Sequence, residues 1–277
     1  MLPFKIDLTD KVVVVTGGGG VICSTLCRAL DECHAKIAVI DLHEEKAVNF
    51  AKTLKRAYGY GCNVLNKEEL KKVHERIKVD LGSVDILING AGGNNPRATT
   101  DNEYMEESDL ASDLKTFFDL NKEDLGFVFD LNFLGTVLPC QEFALDMIGK
   151  SNCSILNISS MNAFTPLTKI PAYSGAKASV SNFTKWLAVY FSHLNIRVNA
   201  IAPGFFVTAQ NKSLLFNEDG SPTARTKKIL AATPMGRFGE VEELIGATLF
   251  LLSSEASSFV NGVVLPIDGG FSSYSGV

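Results

Sequence analysis

Tyr173 and Lys177 are the two residues of this chain whose spacing best suits proton transfer. They stand four residues apart, and residues at that spacing lie on the same face of a helix. An ammonium beside a phenol favours the phenolate and lowers its pKa, so the tyrosine becomes a usable acid or base near neutral pH. Ser160 stands 13 residues before Tyr173, and Asn132 stands 28 residues before Ser160. The same Tyr–Lys spacing occurs in many surface helices, so the prediction requires that all four residues meet at one site.

A run of four glycines, Gly17–Gly20, follows an apolar segment and precedes a predicted helix. Glycines allow the backbone to approach a phosphate closely, and a helix amino end offers free N–H groups and partial positive charge. A flexible turn is the alternative interpretation. Asp41 ends the second apolar run, 24 residues after Gly17. A carboxylate there suits ribose hydroxyls and repels a 2′-phosphate, and no arginine stands at 42 or 43 to accept one. The sequence therefore predicts NAD rather than NADP.

The elements that must position these residues alternate along the chain. Apolar, non-alternating runs predict strands at Val12–Thr16, Lys36–Asp41, Val84–Asn89, Ser154–Ser159, Arg197–Ala202 and Val263–Asp268, with a seventh near Gly59–Val64. Helical patterns cover Val21–Cys33, Glu44–Ala57, Lys67–Leu81, Lys122–Ile148, Tyr173–His193 and Val241–Ser253. This alternation predicts an α/β fold, a Rossmann-type doubly wound parallel sheet of about seven strands with helices on both faces. No Pro/Ser-rich linker interrupts the chain, so residues 1–277 are expected to form a single domain.

Composition narrows the class of protein. With 277 residues, 46% hydrophobic residues and a net charge of -5, the chain is predicted to be globular, without a nucleic-acid footprint. Its six cysteines form no CxxC pair and do not cluster with histidine, so no metal site is expected and the thiols are expected to be reduced. No apolar run approaches membrane-spanning length, and Met1–Asp10 lacks a signal pattern. These features predict a cytoplasmic protein with no membrane partner.

Two stretches, 94–124 and 205–234, interrupt the alternation after strand ends. Ligands of open α/β sheets bind outside the carboxyl ends of the strands, so these stretches are predicted to be substrate loops. For the acidic part, Asp101–Asp113, a solvated insertion is an equally weighted alternative.

Taken together, these motifs resemble those of the short-chain dehydrogenase/reductase family. Thr16 and Gly17 match its TGxxxGxG pattern, whereas Val21 and Cys23 replace the second and third glycines, and Gly20 offers a substitute for the second. The segment NGAG at 89–92 resembles the family's NNAG motif, and YSGAK at 173–177 and NAIAPG at 199–204 match in order and spacing. Cys23 is either a redox-sensitive thiol at a helix amino end or a small packing residue, and we favour packing.

The resemblance implies roles for individual residues. Tyr173 would exchange a proton with the substrate oxygen, Lys177 would lower the tyrosine pKa and hold the nicotinamide ribose, Ser160 would bind the same substrate oxygen, and Asn132 would hold a water. NAD would carry the hydride. The expected cofactor-binding residues are Gly17, Gly19, Gly20, Val21, Ile22, Asp41, Asn63, Val64, Asn89, Ala91, Gly92, Tyr173, Lys177, Pro203, Gly204, Phe206 and Thr208.

The substrate is predicted to be a polyhydroxylated acid, because amide and basic side chains follow the strands that border the crevice. The expected substrate residues are Asn94, Arg97, Ser160, Met161, Asn162, Tyr173 and Asn211. Segments such as GGNNPRATT at 92–100 and APGFF at 202–206 resemble the D-mannonate oxidoreductase (fructuronate reductase) branch of the family. Another sugar-acid or polyol dehydrogenase of gluconate 5-dehydrogenase type, a 3-oxoacyl reductase and a catalytically idle NAD-binding regulator remain alternatives.

The resemblance also implies a homotetramer or homodimer, built through the predicted helices Lys122–Ile148 and Tyr173–His193. The second helix is apolar on more than one face, which suits burial against a partner as well as against the sheet. Core packing within one chain is the alternative. The sequence does not decide whether the glycine-rich tail, Gly269–Val277, reaches a neighbouring active site.

Overall fold

A seven-stranded parallel sheet forms the centre of the protein. The computed structural model describes residues 6–208 and 215–276. In chain order the strands are β1 Val12–Thr16, β2 Lys36–Asp41, β3 Ala57–Gly61, β4 Ile86–Asn89, β5 Cys153–Ile158, β6 Ile196–Pro203 and β7 Val264–Ile267. Across the sheet their order is β3-β2-β1-β4-β5-β6-β7. The predicted doubly wound parallel sheet is confirmed, and the direction of winding reverses between β1 and β4.

The strands are apolar on both sides because helices cover both faces. The segment VVVVT of β1 is completely buried, and β-branched residues fit such a doubly covered strand. One hydrophobic cluster includes Val13 and Val15, and a second cluster on the opposite face includes Val12 and Val14. This alternation of valines between two cores follows from the two-residue period of a strand.

The helices that cover the sheet agree with the predicted segments in most places. They are α1 Val21–Glu32, α2 Glu44–Ala51, α3 Lys67–Asp80, α4 Lys122–Phe129, α5 Gly135–Phe143, α6 Pro171–Tyr190, α7 Ala224–Ala231, α8 Glu243–Leu252 and α9 Ser254–Ser257. The end of α2 differs, because a turn closes after Ala51 and β3 begins two residues before its predicted start. Helix α7, with its N-cap at Thr223, was not predicted within 205–234.

The predicted helix Lys122–Ile148 is a continuous helical segment as far as Met147, but it is not α-helical throughout. A π turn at Asp130–Leu134 separates α4 from α5, and a short 3-10 turn replaces the last predicted residues. The Asn132 side chain bonds to the carbonyl of Val128, and Pro139 supplies no N–H to the ladder of α5. The interruption places a polar side chain where the loop after β4 crosses the helix.

The two predicted substrate loops follow β4 and β6, which flank β5 in the sheet. The first loop contains short 3-10 turns and is closed by paired backbone and side-chain bonds between Asp101 and Lys115. The Lys228 ammonium of α7 bonds to both carboxylate oxygens of Glu103, at 2.8 and 2.9 Å. The acidic stretch Asp101–Asp113 is therefore tied to the second loop, and all of its residues except Asp109 are exposed, as in a solvated insertion.

Candidate active site

The glycine loop after β1 turns sharply into the amino end of α1. Gly17 has a φ of 64°, and a Cβ at this position would lie 2.9 Å from the backbone nitrogen of Ala91. Gly20 caps α1 in an extended conformation without any side-chain bond to the helix. The N–H groups of the first turn, which includes Val21 and Ile22, therefore lack a side-chain cap. This geometry fits a phosphate group, as the sequence predicted.

Asp41 lies at the carboxyl end of β2, directly beside the glycine loop. Its carboxylate accepts hydrogen bonds from the backbone N–H of Gly19 at 3.1 Å and of His43 at 3.2 Å. The Lys46 ammonium lies 3.9 Å from the same carboxylate. The position suits recognition of a ribose next to the phosphate loop. Lys46 is a nearby cation that the sequence analysis missed, because it stands on α2 and not in the turn after β2.

The segment after β4 connects the glycine loop to the catalytic residues. The Thr16 hydroxyl accepts the N–H of Gly90 at 3.1 Å and of Ala91 at 3.3 Å. A Cβ at Gly92 would lie 2.6 Å from Asn132 Oδ1 and 3.3 Å from Lys177 Nζ. Both the predicted cofactor cradle and the predicted catalytic set therefore border this short segment, and a side chain at Gly92 would fill the space between them.

Two predicted cofactor residues direct their side chains into the protein interior. The Asn89 amide donates to Asn157 Oδ1 at 2.9 Å and to Cys140 Sγ at 3.1 Å, and Asn89 is buried. Phe206 is also buried, and its ring fills the space over Gly239. A ligand at this edge would therefore meet the backbone atoms of Asn89 and Phe206, and their cofactor-binding role stays a prediction.

The remaining predicted cofactor residues lie near the carboxyl edge of the sheet. Asn63 follows β3, and its amide oxygen accepts the N–H of Leu65, whereas Val64 is buried against Gly135. Pro203 ends β6, and a Cβ at Gly204 would overlap Asp268. Thr208 comes just before the gap in the described residues and has an interaction partner.

Lys177 is a buried cation beside the predicted acid/base. Its ammonium donates to the carbonyl oxygen of Ile158 at 2.8 Å and lies 5.8 Å from the centre of the Tyr173 ring. Burial lowers the pKa of Lys177 from its ordinary value to about 8. The lysine is therefore mainly charged at neutral pH and loses its charge within the mildly alkaline range.

Ser160, and not its neighbour Ser159, lies beside the phenol. Burial raises the pKa of Tyr173, and a hydrogen bond with the Ser160 side chain lowers it in part. The Ser159 hydroxyl instead bonds to the carbonyl of Lys177 at 3.2 Å and to the Ser181 hydroxyl at 2.7 Å. The expected lowering of the tyrosine pKa therefore comes from Ser160 in this structure, and burial outweighs it.

Hydrogen bonds from the Asn132 side chain connect the loop after β4 to the π turn. Its amide nitrogen donates to the carbonyls of Gly93 and Val128, both at 2.8 Å, and its Oδ1 accepts the N–H of Gly93 at 3.1 Å. Its backbone carbonyl accepts the Thr136 hydroxyl. The bonds made here assign Asn132 to positioning Gly93, whereas its expected role in holding a water remains a prediction.

The predicted substrate residues occupy different environments. Arg97 is exposed and has no ion-pair partner in the described part of the chain, and Asn94 bonds to Thr99. Met161 and Asn162 are buried in the turn after Ser160, and Asn162 Oδ1 has no hydrogen-bond partner in the described ranges. Asn211 lies outside the described residues.

The sequence analysis did not predict that a turn near the carboxyl terminus of the same chain packs beside the turn that follows the catalytic serine. The turn Phe271–Ser273 contacts the turn Met161–Ala163 that follows the catalytic serine. The Phe271 ring packs edge-on against Phe205, with ring centres 5.3 Å apart. The adjacent glycines Gly269 and Gly270, both with positive φ, were the available signal for a turn at this point.

Comparison with known proteins identifies the family to which the chain belongs. The family model for short chain dehydrogenases matches residues 11–219. The chain belongs to the short-chain dehydrogenase family. A Haemophilus influenzae oxidoreductase without an assigned substrate is 59% identical over 98% of this short-chain dehydrogenase and 96% of its own length.

A solved structure and a curated relative that are similar to this short-chain dehydrogenase carry more specific names. A solved structure from Haemophilus influenzae, provisionally assigned as a D-mannonate oxidoreductase and containing bound NAD, has a TM-score of 0.94 and 59% identity, with 98% of each chain covered. A 5-keto-D-gluconate 5-reductase of Escherichia coli is 31% identical over 95% of this chain and 96% of its own. The cofactor in the Haemophilus structure is the one that Asp41 predicts.

Two kinds of structural feature are absent from the described residues. Within residues 6–208 and 215–276, no helix is both long and apolar enough to cross a membrane. The same residues contain no group of three or more His, Cys, Asp or Glu side chains that could hold a metal ion.

Proposed function

We propose that this protein interconverts a sugar-acid alcohol and its ketone with NAD(H), and that the pair is D-mannonate and D-fructuronate. The observation that carries the proposal is the convergence of Ser160, Tyr173 and Lys177 beside Gly92. A dinucleotide seated on Gly17–Gly20 would reach this point along the segment that joins the two halves of the site. The similarity to the Haemophilus structure supports both the cofactor and the substrate.

The protein residues would handle the proton of the reaction. Bound NADH supplies a hydride to the ketone carbon. Because burial raises its pKa, the Tyr173 phenol is protonated at neutral pH and can donate its proton to the ketone oxygen, completing the alcohol. In the oxidation direction, Tyr173 accepts that proton. Ser160 donates a hydrogen bond to the same oxygen, and charged Lys177 favours the phenolate that remains.

The cationic and amide side chains near the crevice are suited to binding an acidic sugar. Arg97 is a cationic side chain without an ion-pair partner in the described ranges, which makes it available for the carboxylate of a hexonate. Asn94 and Asn162 are amides that can bind hydroxyl groups, and Asn162 Oδ1 lacks an internal partner in the described ranges. Asn211, outside the described residues, stays in this proposal as a sequence prediction.

Oxidation of NADH, followed with D-fructuronate, 5-ketogluconate and an acetoacetyl thioester in parallel, tests the substrate. The highest kcat/KM is expected with D-fructuronate, and no turnover of that compound would overturn the proposal. Arg97→Gln should raise KM for D-fructuronate by roughly tenfold and leave KM for a neutral ketone unchanged. Lys115→Gln is the matched control, because Lys115 is another cation of the same loop, already bonded to the Arg97 carbonyl.

A gluconate 5-dehydrogenase type of activity is the second candidate. It is favoured by the similarity to the Escherichia coli 5-keto-D-gluconate 5-reductase, whose substrate is also a keto-hexonate. A kcat/KM for 5-ketogluconate above that for D-fructuronate would establish it. Preference for the thioester would indicate a 3-oxoacyl reductase, and NADH binding without turnover of any of the three compounds would indicate an idle regulator.

The aromatic face of α6 supports a proposal about assembly. Trp186 and Tyr190 are stacked with ring centres 4.9 Å apart, yet they are 55% and 66% exposed, and Val189 is 75% exposed. Large apolar side chains at such exposure favour burial against a second copy. We propose a homotetramer or homodimer that forms through this face, which light scattering at micromolar concentration tests. A monomer would refute it.

The proposed compartment is the cytoplasm. All six cysteines are free thiols in the structure, five of them buried, which suits a reducing environment.

A further inference from the structure

Cys23 and Gly90 depart from the family pattern in opposite directions. Cys23 has a side chain where the TGxxxGxG pattern has its third glycine. Gly90, the second residue of NGAG, has no side chain, whereas the pattern NNAG has asparagine at this position. The two positions are 67 residues apart in the chain, and no local pattern connects them.

The structure brings these two positions into direct contact. A Cβ added at Gly90 would overlap the Cys23 sulfur, so the thiol occupies the space that a side chain at position 90 would need. Cys23 is only 4% exposed and belongs to the core cluster that also includes Ile158. Burial raises the pKa of the Cys23 thiol to about 12, so the group is neutral and packs as a small apolar side chain.

The contact between Cys23 and Gly90 lies between the glycine loop and the catalytic residues of the proposed active site. The neighbouring N–H groups of Gly90 and Ala91 bond to the Thr16 hydroxyl, at the beginning of the glycine loop. Two residues further on, Gly92 lies against Asn132 and Lys177. A shift of Gly90 away from α1 would therefore change the separation between the phosphate loop and the catalytic lysine.

We propose that Cys23 is a positioning residue for the cofactor site, and that its sulfur, matched in size to the missing side chain of Gly90, fixes the distance between the glycine loop and the Gly90–Gly92 segment. The Cys23 side chain thus occupies space that the absence of a side chain at Gly90 leaves open. The inference rests on the proposed use of NAD(H), because it concerns the geometry in which that cofactor is held.

Substitutions at Gly90 and Cys23 test whether the sizes of the two residues are matched. Gly90→Ala alone should raise the Kd for NADH, measured by fluorescence titration, by roughly tenfold or more, because the new Cβ overlaps the sulfur. In a Cys23→Ala background, the same substitution should raise Kd by a clearly smaller factor. The added Cβ would still lie 2.9 Å from the Thr16 backbone carbonyl oxygen, but this contact is common to both backgrounds, so the difference between the two penalties reports the contact with the sulfur. An equal penalty in both backgrounds would overturn the proposal.

Cys27 provides a matched control. It lies one turn further along α1, is fully buried in the same core cluster, and does not touch Gly90. Cys23→Ala should weaken NADH binding by roughly fourfold, whereas Cys27→Ala, at a similar loss of Tm, should leave Kd unchanged. Equal Kd values for these two variants would contradict a positioning role, and this comparison decides the matter if the Gly90 variants do not fold.

The inference and the proposed function can fail separately. If the wild-type protein does not bind NADH, the proposed cofactor is wrong. The size match is then decided by Tm, since the loss caused by Gly90→Ala should be smaller in the Cys23→Ala background than in the wild type. Additive losses of Tm would overturn the match whatever the cofactor.

Discussion

The ammonium nitrogen of Lys177 lies 5.8 Å from the centre of the Tyr173 ring. Burial acts on the pKa values of the two groups in opposite directions, lowering that of Lys177 to about 8 and raising that of Tyr173. Both groups are moved towards their neutral forms because each loses the water that stabilises its charge. The site thus holds a protonated phenol and, below pH 8, a charged lysine, which is the combination that ketone reduction requires.

Replacing the proposed acid/base tests the chemical step directly. Tyr173→Phe removes the proton that is donated to the ketone and keeps the ring. Turnover should fall by a factor of roughly 100 to 10,000, while the Kd for NADH stays within about threefold of the wild type. Steady-state rates and fluorescence titration check the two expectations. A turnover within about threefold of the wild type would remove Tyr173 from the mechanism.

The adjacent serines provide a matched pair of variants. Ser160→Ala removes the hydrogen bond to the phenol, so kcat should fall by roughly tenfold or more and the alkaline limb of the pH–rate profile should move to higher pH. Ser159→Ala removes bonds to α6 instead, and should cost about 1 kcal/mol of stability with little effect on kcat. If the two variants exchanged these phenotypes, Ser159 would be the catalytic serine.

Burial of Lys177 predicts a stability that increases with pH. The folded pKa of about 8 lies below the ordinary value of 10.5, so between these limits the unfolded chain binds more protons than the folded chain. The contribution of this group to the free energy of unfolding is therefore greatest above pH 10.5 and is lost as the pH falls through 8. Lys177→Met should remove the slope, which urea unfolding at pH 8 and pH 10 would detect. Parallel pH dependences for the two proteins would contradict the prediction.

Asp41 and Lys46 are expected to determine the choice between the two nicotinamide cofactors. Asp41→Ser removes the charge that repels a 2′-phosphate and leaves the Lys46 ammonium without its neighbouring carboxylate. The ratio of kcat/KM for NADH to that for NADPH should fall by roughly tenfold or more. Adding Lys46→Gln should reverse most of the gain with NADPH. An unchanged ratio in Asp41→Ser would show that selectivity lies elsewhere.

A partly buried ion-pair cluster should govern acid stability away from the active site. His74 lies 2.7 Å from Glu142 and 3.0 Å from Asp146, and Asp146 also bonds to Lys78 at 2.8 Å. Burial raises the pKa of Asp146, but bonds from Lys78, His74 and the Val84 N–H outweigh this effect and hold the pKa at about 2. The resulting stability is present above pH 3.8 and is lost as the pH falls towards 2.

Asp146→Asn should therefore destabilise the protein by about 2 kcal/mol at neutral pH, because it leaves Lys78 and His74 without their shared carboxylate. The difference from the wild type should shrink below pH 3.8. Urea unfolding across this range measures both effects, with turnover as the control, since the cluster does not touch the catalytic residues. A constant difference down to pH 2 would contradict the assignment.

Neighbouring residues of the candidate site were not equally predictable from the sequence. Asn89 and Gly92 stand in one motif, yet the Asn89 side chain points into the sheet interior and Gly92 faces the catalytic lysine. The π segment within the predicted helix Lys122–Ile148 was missed for a related reason. Within this segment Asn132 bonds to Gly93, 39 residues away. Local periodicity does not contain such distant partners.

The sequence by itself determined the parallel sheet, the glycine turn and the Ser160–Tyr173–Lys177 spacing, because strand burial, backbone conformation and helix periodicity are local properties of the chain. Only the tertiary structure decided that Cys23 fills the space over Gly90, that Lys46 approaches Asp41 and that burial sets the two catalytic pKa values in opposite directions. These depend on how closely separate elements pack and how much water they exclude, and neither quantity is encoded in the spacing of residues along the chain.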